Sequence, residues 1–287
     1  MNLLEHRKSK YSSIGNDGII EHIFKILGKS SGFFVEFGAW DGIKGSNCRK
    51  LWEEGWKGIF IEGDQNKYLQ LVKNYKPDSL NWPWYDKKYV FKDVVCINEY
   101  VDLDKNKFDN LVKDHIPSSG IDFCSIDIDG LDVEIFETFQ NFYPSVICIE
   151  GGQMLHPFHE RIEKKKAKNN IQQSLSVMVD TFSKKGYRLL CTYQDSFFIK
   201  EELYDDFEIS ENLMELYFNG LAAHARRIPW IQMKLSQVGL KNSIVDKILD
   251  STNYSSYNYS HRKRWIQEQN DLILEKILEI RSTHEVY

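Results

Sequence analysis

VEFGAWDGIKGSN, Val35 to Asn47, reads as a strand that ends near Glu36, turns through Gly38 to Gly42 and opens a helix near Ser46. Working outward from it, short β-rich runs recur: FFVEF (Phe33 to Phe37), GIFIE (Gly58 to Glu62), YVFKDVVC (Tyr89 to Cys96), DFCSIDI (Asp122 to Ile128), SVICIE (Ser145 to Glu150), YRLLCTY (Tyr187 to Tyr193) and SFFIK (Ser196 to Lys200). Helix-capable stretches separate the first five, so they should lie parallel with helices on both faces. Only Gln194 and Asp195 join the last two, which predicts an antiparallel hairpin. The expectation is an α/β, Rossmann-like sheet of about seven strands, mostly parallel with a closing hairpin.

The turn also discriminates between cofactors. A glycine-rich turn after the first strand lets backbone N–H groups approach a ligand, and a dinucleotide pyrophosphate needs G-x-G-x-x-G with an unobstructed helix N-terminus. Here Glu36 and Asp41 would repel phosphate. They suit S-adenosylmethionine (SAM), which presents an ammonium and a sulfonium and has no phosphate. Glu36, Gly38, Ala39, Asp41, Gly42, Ser46 and Asn47 are therefore candidate cofactor residues. Glu62 ends the second strand 24 residues after Gly38, where this fold places an acid on ribose hydroxyls. By position on the third strand, Phe91, Asp93 and Val94 are expected beside the adenine.

IDFCSIDIDG, read with period-two alternation, puts Ser125, Asp127 and Asp129 on one face of the fourth strand. Neighbouring carboxylates repel unless a divalent cation such as magnesium or manganese, a proton or a sulfonium neutralises them. With Glu150 at the end of the fifth strand they form a candidate metal or acceptor site. His156 and His159, in GGQMLHPFH, are candidate general bases or ligands, equally readable as hydrogen-bonded loop histidines.

Composition narrows the partners. The formal charge of -5 and pI near 5.9 provide no field for a nucleic acid backbone. Five scattered cysteines without a C-x-x-C pair, three of them in apolar strands, read as reduced thiols in a cytoplasm. No stretch resembles a signal peptide or membrane span. The run after Asn16 (NDGIIEHIFKILG) predicts a lid or edge helix stopping at Gly28. The division expected is an N-terminal helical segment over 1–31, a core over 32–200 and a helical annex over 201–287 that could carry a homo-oligomer contact. KKKAKNN after Glu163 and the Tyr-rich STNYSSYNYSH read as loops.

KYSSIGNDGIIEHIF, FFVEFGAWDGIKGSNCRKLWEEGWKGIFIEGD, IDFCSIDIDG and the strand ending in Glu150 together resemble the FkbM-type family of SAM-dependent methyltransferases, over roughly Lys10 to Glu150. The resemblance implies SAM as donor and O-methylation of a sugar, nucleotide-sugar or natural-product hydroxyl, as in surface polysaccharide biosynthesis. IEGGQMLHPFH and the tail beyond Glu201 depart from the family pattern. Two other readings stay open: a metal-dependent nucleotide-sugar glycosyltransferase using the D-x-D of IDIDG, and a non-catalytic SAM-binding module.

Overall fold

The computed structural model describes residues 1–77, 86–153, 157–158, 160–162 and 172–223. Eight strands run β1 (Phe33–Phe37), β2 (Lys57–Ile61), β3 (Lys88–Val90), β4 (Val94–Ile97), β5 (Phe123–Ile126), β6 (Val146–Glu150), β7 (Tyr187–Thr192) and β8 (Asp195–Lys200). Their order is β3-β4-β2-β1-β5-β6-β8-β7. β4, β2, β1, β5 and β6 pair in parallel. The chain winds outward from β1 through β2 to β4, then returns to β5 on the other side of β1, which places the topological switch between β1 and β5. β7 and β8 form the closing hairpin, joined by Tyr193 and Gln194.

The third expected strand is in fact two. YVFKDVVC breaks at Phe91 to Asp93, and β3 folds back antiparallel on β4, pairing Tyr89 with Cys96. The Phe91 N–H closes the turn on the Val94 carbonyl at 2.8 Å. The polar Lys92-Asp93 pair between two apolar runs supplies the break.

The chain divides into two compact units, one of His6–Ile149 with Ile199–Asp206, the other of Met1–Glu5, Glu150–Phe198 and the chain from Phe207. The first unit carries α1 (Asn16–Ile26), α2 (Arg49–Glu53), α3 (Gln65–Tyr75), α4 (Phe108–Val112) and α5 (Asp132–Glu137). The predicted apolar stripe of α1 is buried at Ile19, Ile20, Ile23 and Phe24. Phe24 meets Trp56 edge-on at 4.6 Å and Phe123 of β5 at 6.1 Å, so α1 packs on the core and is no lid. Alternation along β1 sends Phe34 toward Phe60 at 5.0 Å and Phe37 the other way, toward Phe108 of α4 at 5.3 Å and Phe139 at 6.3 Å. A sheet buried on both faces explains the near-continuous apolar strands.

The second unit carries α6 (Leu175–Ser183) and α7 (Leu213–Ala223). The Ser174 hydroxyl caps α6 by accepting from the Val177 N–H, and Phe182 stacks on Phe198 at 3.9 Å. Of the expected annex, a 3-10 turn (Glu201–Asp206) and α7 are described. KKKAKNN, the Tyr-rich segment and the later helices lie outside the described residues. All five cysteines are buried thiols outside any disulfide. Among the described residues, no helix is long and apolar enough to cross a membrane.

The ring cluster that seats β1 yields a stability prediction. Phe139 is fully buried, stacked on Phe108 at 3.9 Å. Phe139→Ala should cost about 3–5 kcal/mol in urea unfolding. A loss under about 1 kcal/mol would mean that the cluster collapses around the cavity at little cost.

Candidate functional site

Parallel strands deliver their C-terminal ends to one edge, and ligands of open α/β sheets bind there, at the switch point. At that edge Gly38 follows β1, Glu62 follows β2, Asn98 to Tyr100 follow β4, and Asp127 to Asp129 follow β5. Gly38 is exposed, with φ 63, and a Cβ there would run into the Asp127 carbonyl oxygen. Only glycine lets the β1 and β5 ends approach this closely.

The turn is held from several sides. Tyr75 and Asn74 of α3 donate to the carbonyls of Gly42 and Asp41. Asp41 Oδ1 accepts the N–H groups of Ile43 and Lys44 at 2.9 and 2.8 Å, forming an Asx-type turn. Ala39 N–H reaches the Ile61 carbonyl at 3.2 Å. Further on, Gly45 N–H bonds the Tyr11 carbonyl, while Asp17 Oδ2 accepts the amides of Lys10, Tyr11 and Ser12. The KYSS segment is thereby stitched to the loop's end.

Glu36, Ser46 and Asn47 lie beneath this surface. Glu36 Oε2 accepts from the Ser46 hydroxyl at 2.6 Å, and Oε1 accepts from the Asn47 N–H at 2.7 Å. Ser46 Oγ in turn accepts from the Arg49 N–H at 3.0 Å, at the start of α2. Asn47 donates to Ser125 Oγ of β5 and accepts from Asn16 of α1, each at 2.9 Å. These side chains are buried and bonded to one another, so their visible work is to position the loop. Burial pushes the Glu36 carboxyl up to about 7, against the opposing pull of its hydrogen bonds from Ser46 and Asn47.

Glu62 is the acid nearest the turn. Its carboxylate accepts the Trp40 N–H and the Asp64 N–H, both at 2.7 Å, and burial raises its pKa. A carboxylate offers about four lone-pair positions, so further acceptor capacity exists for hydroxyl donors. Asp93 and Val94 do not join it. The Asp93 carbonyl bonds the N–H of Gly58, at the start of β2, which is roughly 13 Å of strand from Glu62. The position argument failed because β4 begins at Val94 and ends at Ile97. The residues that reach the edge are Asn98, whose amide donates to the carbonyls of Glu62 and Gly63, and Tyr100, whose ring lies against Gly63. The polar Lys92-Asp93 pair was the available signal.

β5 also stops sooner than alternation implied, at Ile126. Asp127 and Asp129 are exposed loop residues, and their common strand face does not exist. Asp129 adopts φ 58, held by Asp132, which accepts the N–H groups of Ile128 and Gly130 at 2.9 Å each. Asp132 was not singled out in the sequence. Among the described residues only Asp129 and Trp40 (φ 52) are non-glycines at positive φ. A side chain there costs roughly 1–2 kcal/mol, and such outliers gather at functional sites. Glu150 belongs to the other unit, where Gln172 donates to it at 2.8 Å. His156 and His159 lie outside the described residues.

The strand order, parallel core and closing hairpin make this a Rossmann-like class I methyltransferase sheet, with β3 as an added edge strand. Solved structures similar to the chain include a SAM-dependent methyltransferase from Aquifex aeolicus, at 12% identity, covering 62% of this chain and 86% of that one with a TM-score of 0.36. M. capricolum TrmK in complex with S-adenosyl-homocysteine is similar at 13% identity, 90% and 95% coverage and a TM-score of 0.44. M. jannaschii TYW2 in complex with AdoMet is similar at 12% identity, 67% and 79% coverage and a TM-score of 0.37. No protein-family model matches the chain, and no curated protein matches it.

The buried Glu36 carboxyl generates a pH prediction. Its folded pKa of about 7 lies above the ordinary glutamate value of 4.5, so the stability it contributes is full below about 4.5 and is lost as pH rises through 7. Relative to Glu36→Gln, which cannot titrate, the wild type should lose about 2–3 kcal/mol between pH 5 and pH 8. Urea midpoints measured in parallel check this, and a pH-independent difference would place an ionised carboxylate in the core.

Proposed function

We propose that this chain binds SAM at the C-terminal edge of its sheet and transfers the methyl group to a hydroxyl of a small polar acceptor, a sugar or nucleotide-sugar. The observation that carries the reading is the pairing of the open Gly38 turn with the Glu62 carboxylate on the adjacent strand end. The absent Cβ at Gly38 lets the ends of β1 and β5 meet at this edge, and Glu62 keeps acceptor capacity for a pair of ribose hydroxyls. Trp40 stands two residues after Gly38, where a dinucleotide fingerprint needs glycine so that the backbone can approach a pyrophosphate. A phosphate-free cofactor fits this loop better.

SAM supplies a methyl group on a sulfonium. The chain's own part is to orient the acceptor and take its proton, since an alcohol is a poor nucleophile at neutral pH. Asp127 and Asp129 occupy the β5 side of the switch point, and the strained backbone of Asp129 marks it as the leading candidate for holding the hydroxyl. In the reading proposed here these two acids hold the acceptor hydroxyl or a divalent ion, magnesium or manganese by their oxygen preference. The resemblance to FkbM-type enzymes supports O-methylation. The formal charge of -5 favours a small acceptor over a polyanion.

Three measurements test the reading. Charge-assisted hydrogen bonds contribute about 1.5–3 kcal/mol each, so Glu62→Ala should lower SAM affinity at least tenfold in calorimetry. Unchanged affinity would remove Glu62 from the site. Asp129→Asn keeps a residue that tolerates the left-handed backbone, so the fold should survive. S-adenosylhomocysteine release from a panel of nucleotide-sugars should then fall about a hundredfold, within the range for one catalytic acid-base group, with SAM affinity preserved. Chelation followed by metal add-back separates the metal role: turnover that survives chelation while Asp129→Asn is inactive assigns the acids to the acceptor alone.

A further inference from the structure

Among the described residues two aromatic side chains are largely exposed, Trp40 at 49% and Tyr100 at 68%. Sixty positions separate them in the chain, yet the fold brings both beside one dipeptide. β2 lies between β1 and β4, so Glu62 and Gly63 after β2 are flanked by Trp40 after β1 and Tyr100 after β4. The contacts are direct. Trp40 donates its backbone N–H to Glu62 Oε2 at 2.7 Å, and the Tyr100 ring lies so close to Gly63 that a Cβ there would collide with it.

Core packing does not account for either ring. Trp40 holds a left-handed backbone at φ 52 that glycine would adopt without strain, and it does so to present an indole at the surface. Lys67 of α3 sits 3.9 Å over the ring and steadies it, and the indole is still half exposed. Gly63, in turn, gives up a side chain so that Tyr100 can lie on the backbone beside the acid. A carboxylate with an exposed aromatic residue on the strand end at either side is suited to a ligand with a polyhydroxyl ring joined to a heteroaromatic base. The carboxylate takes the hydroxyls and the rings cover the faces that hydrogen bonds cannot.

We infer that Trp40 and Tyr100 are the aromatic walls of a nucleoside site, specificity-determining residues that recognise the adenosyl portion of the donor on either side of Glu62. The inference rests on the SAM reading of Glu62 and extends it. It assigns discrimination to the nucleoside and not to the amino-acid end.

Calorimetry with S-adenosylhomocysteine and with 5′-methylthioadenosine, which lacks the amino-acid end, tests the assignment on the full chain. Trp40→Gly and Tyr100→Ala should each weaken both ligands by at least about tenfold and by the same factor, while Trp40→Phe and Tyr100→Phe retain affinity within about threefold. Trp40→Gly also relieves the left-handed strain, so its melting temperature should not fall, and lost affinity cannot be ascribed to unfolding. Wild-type binding that Glu62→Ala weakens but Trp40→Gly and Tyr100→Ala leave intact would overturn the inference and spare the SAM reading. So would a loss confined to S-adenosylhomocysteine, which would place the rings at the amino-acid end. A wild type that binds neither ligand would overturn the SAM reading, and the inference with it.

Discussion

The Glu36 carboxyl, buried at the end of β1 and shared between Ser46 and Asn47, is the constraint on which the candidate site depends. A carboxyl inside a protein must be satisfied or neutralised, and this one is satisfied by the returning limb of the loop that leaves its own strand. The loop is thus closed from beneath. Asn47 carries the network on to Ser125 of β5 and Asn16 of α1, so one buried polar set connects β1, its neighbour β5 across the switch point, and α1. Loss of any member would strand polar groups in the core, which is more costly than losing an exposed bond.

Above that network the site is built from backbone as much as from side chains. Gly38 approaches Asp127 because it has no Cβ, and Trp40 tolerates an unfavourable φ because its N–H is bonded to Glu62. Asp132 does the same on the other side of the crevice, fixing the turn that carries Asp129. The two strained non-glycines thus follow β1 and β5, the strands that flank the switch point, each turn held by a carboxylate that is itself buried. Strain held in place by hydrogen bonds is a means of pre-organisation, since the loop need not be ordered again when a ligand arrives.

The fold class was legible in the sequence because the pattern that encodes it is local. Apolar runs at FFVEF, GIFIE and SVICIE, each followed by a turn and a helical stripe, require a sheet covered on both faces whatever the tertiary details. The glycine turn and Glu62 were legible for the same reason, being strand ends in a known winding order. Period-two reasoning failed where a strand stopped: β5 ends at Ile126, so Asp127 and Asp129 follow loop geometry, and YVFKDVVC folds into a hairpin that carries Asp93 to the far end of the sheet. Alternation in sequence records a strand's faces but carries little information on where pairing ceases.

By itself the sequence determined the alternation of strands and helices, the acidic glycine turn and the acid at the end of the second strand, since each depends on residues close in the chain. Only the tertiary structure decided which acids are buried supports and which are exposed. Glu36 and Asp41 look alike in VEFGAWDG, yet one is a protonatable core carboxyl and the other caps a turn. Only the structure, too, brought Tyr100 to Gly63 and set Trp40 beside Glu62, because those meetings depend on strand order and on where β4 ends. Burial and long-range adjacency are properties of the packed sheet, and no window of the chain contains them.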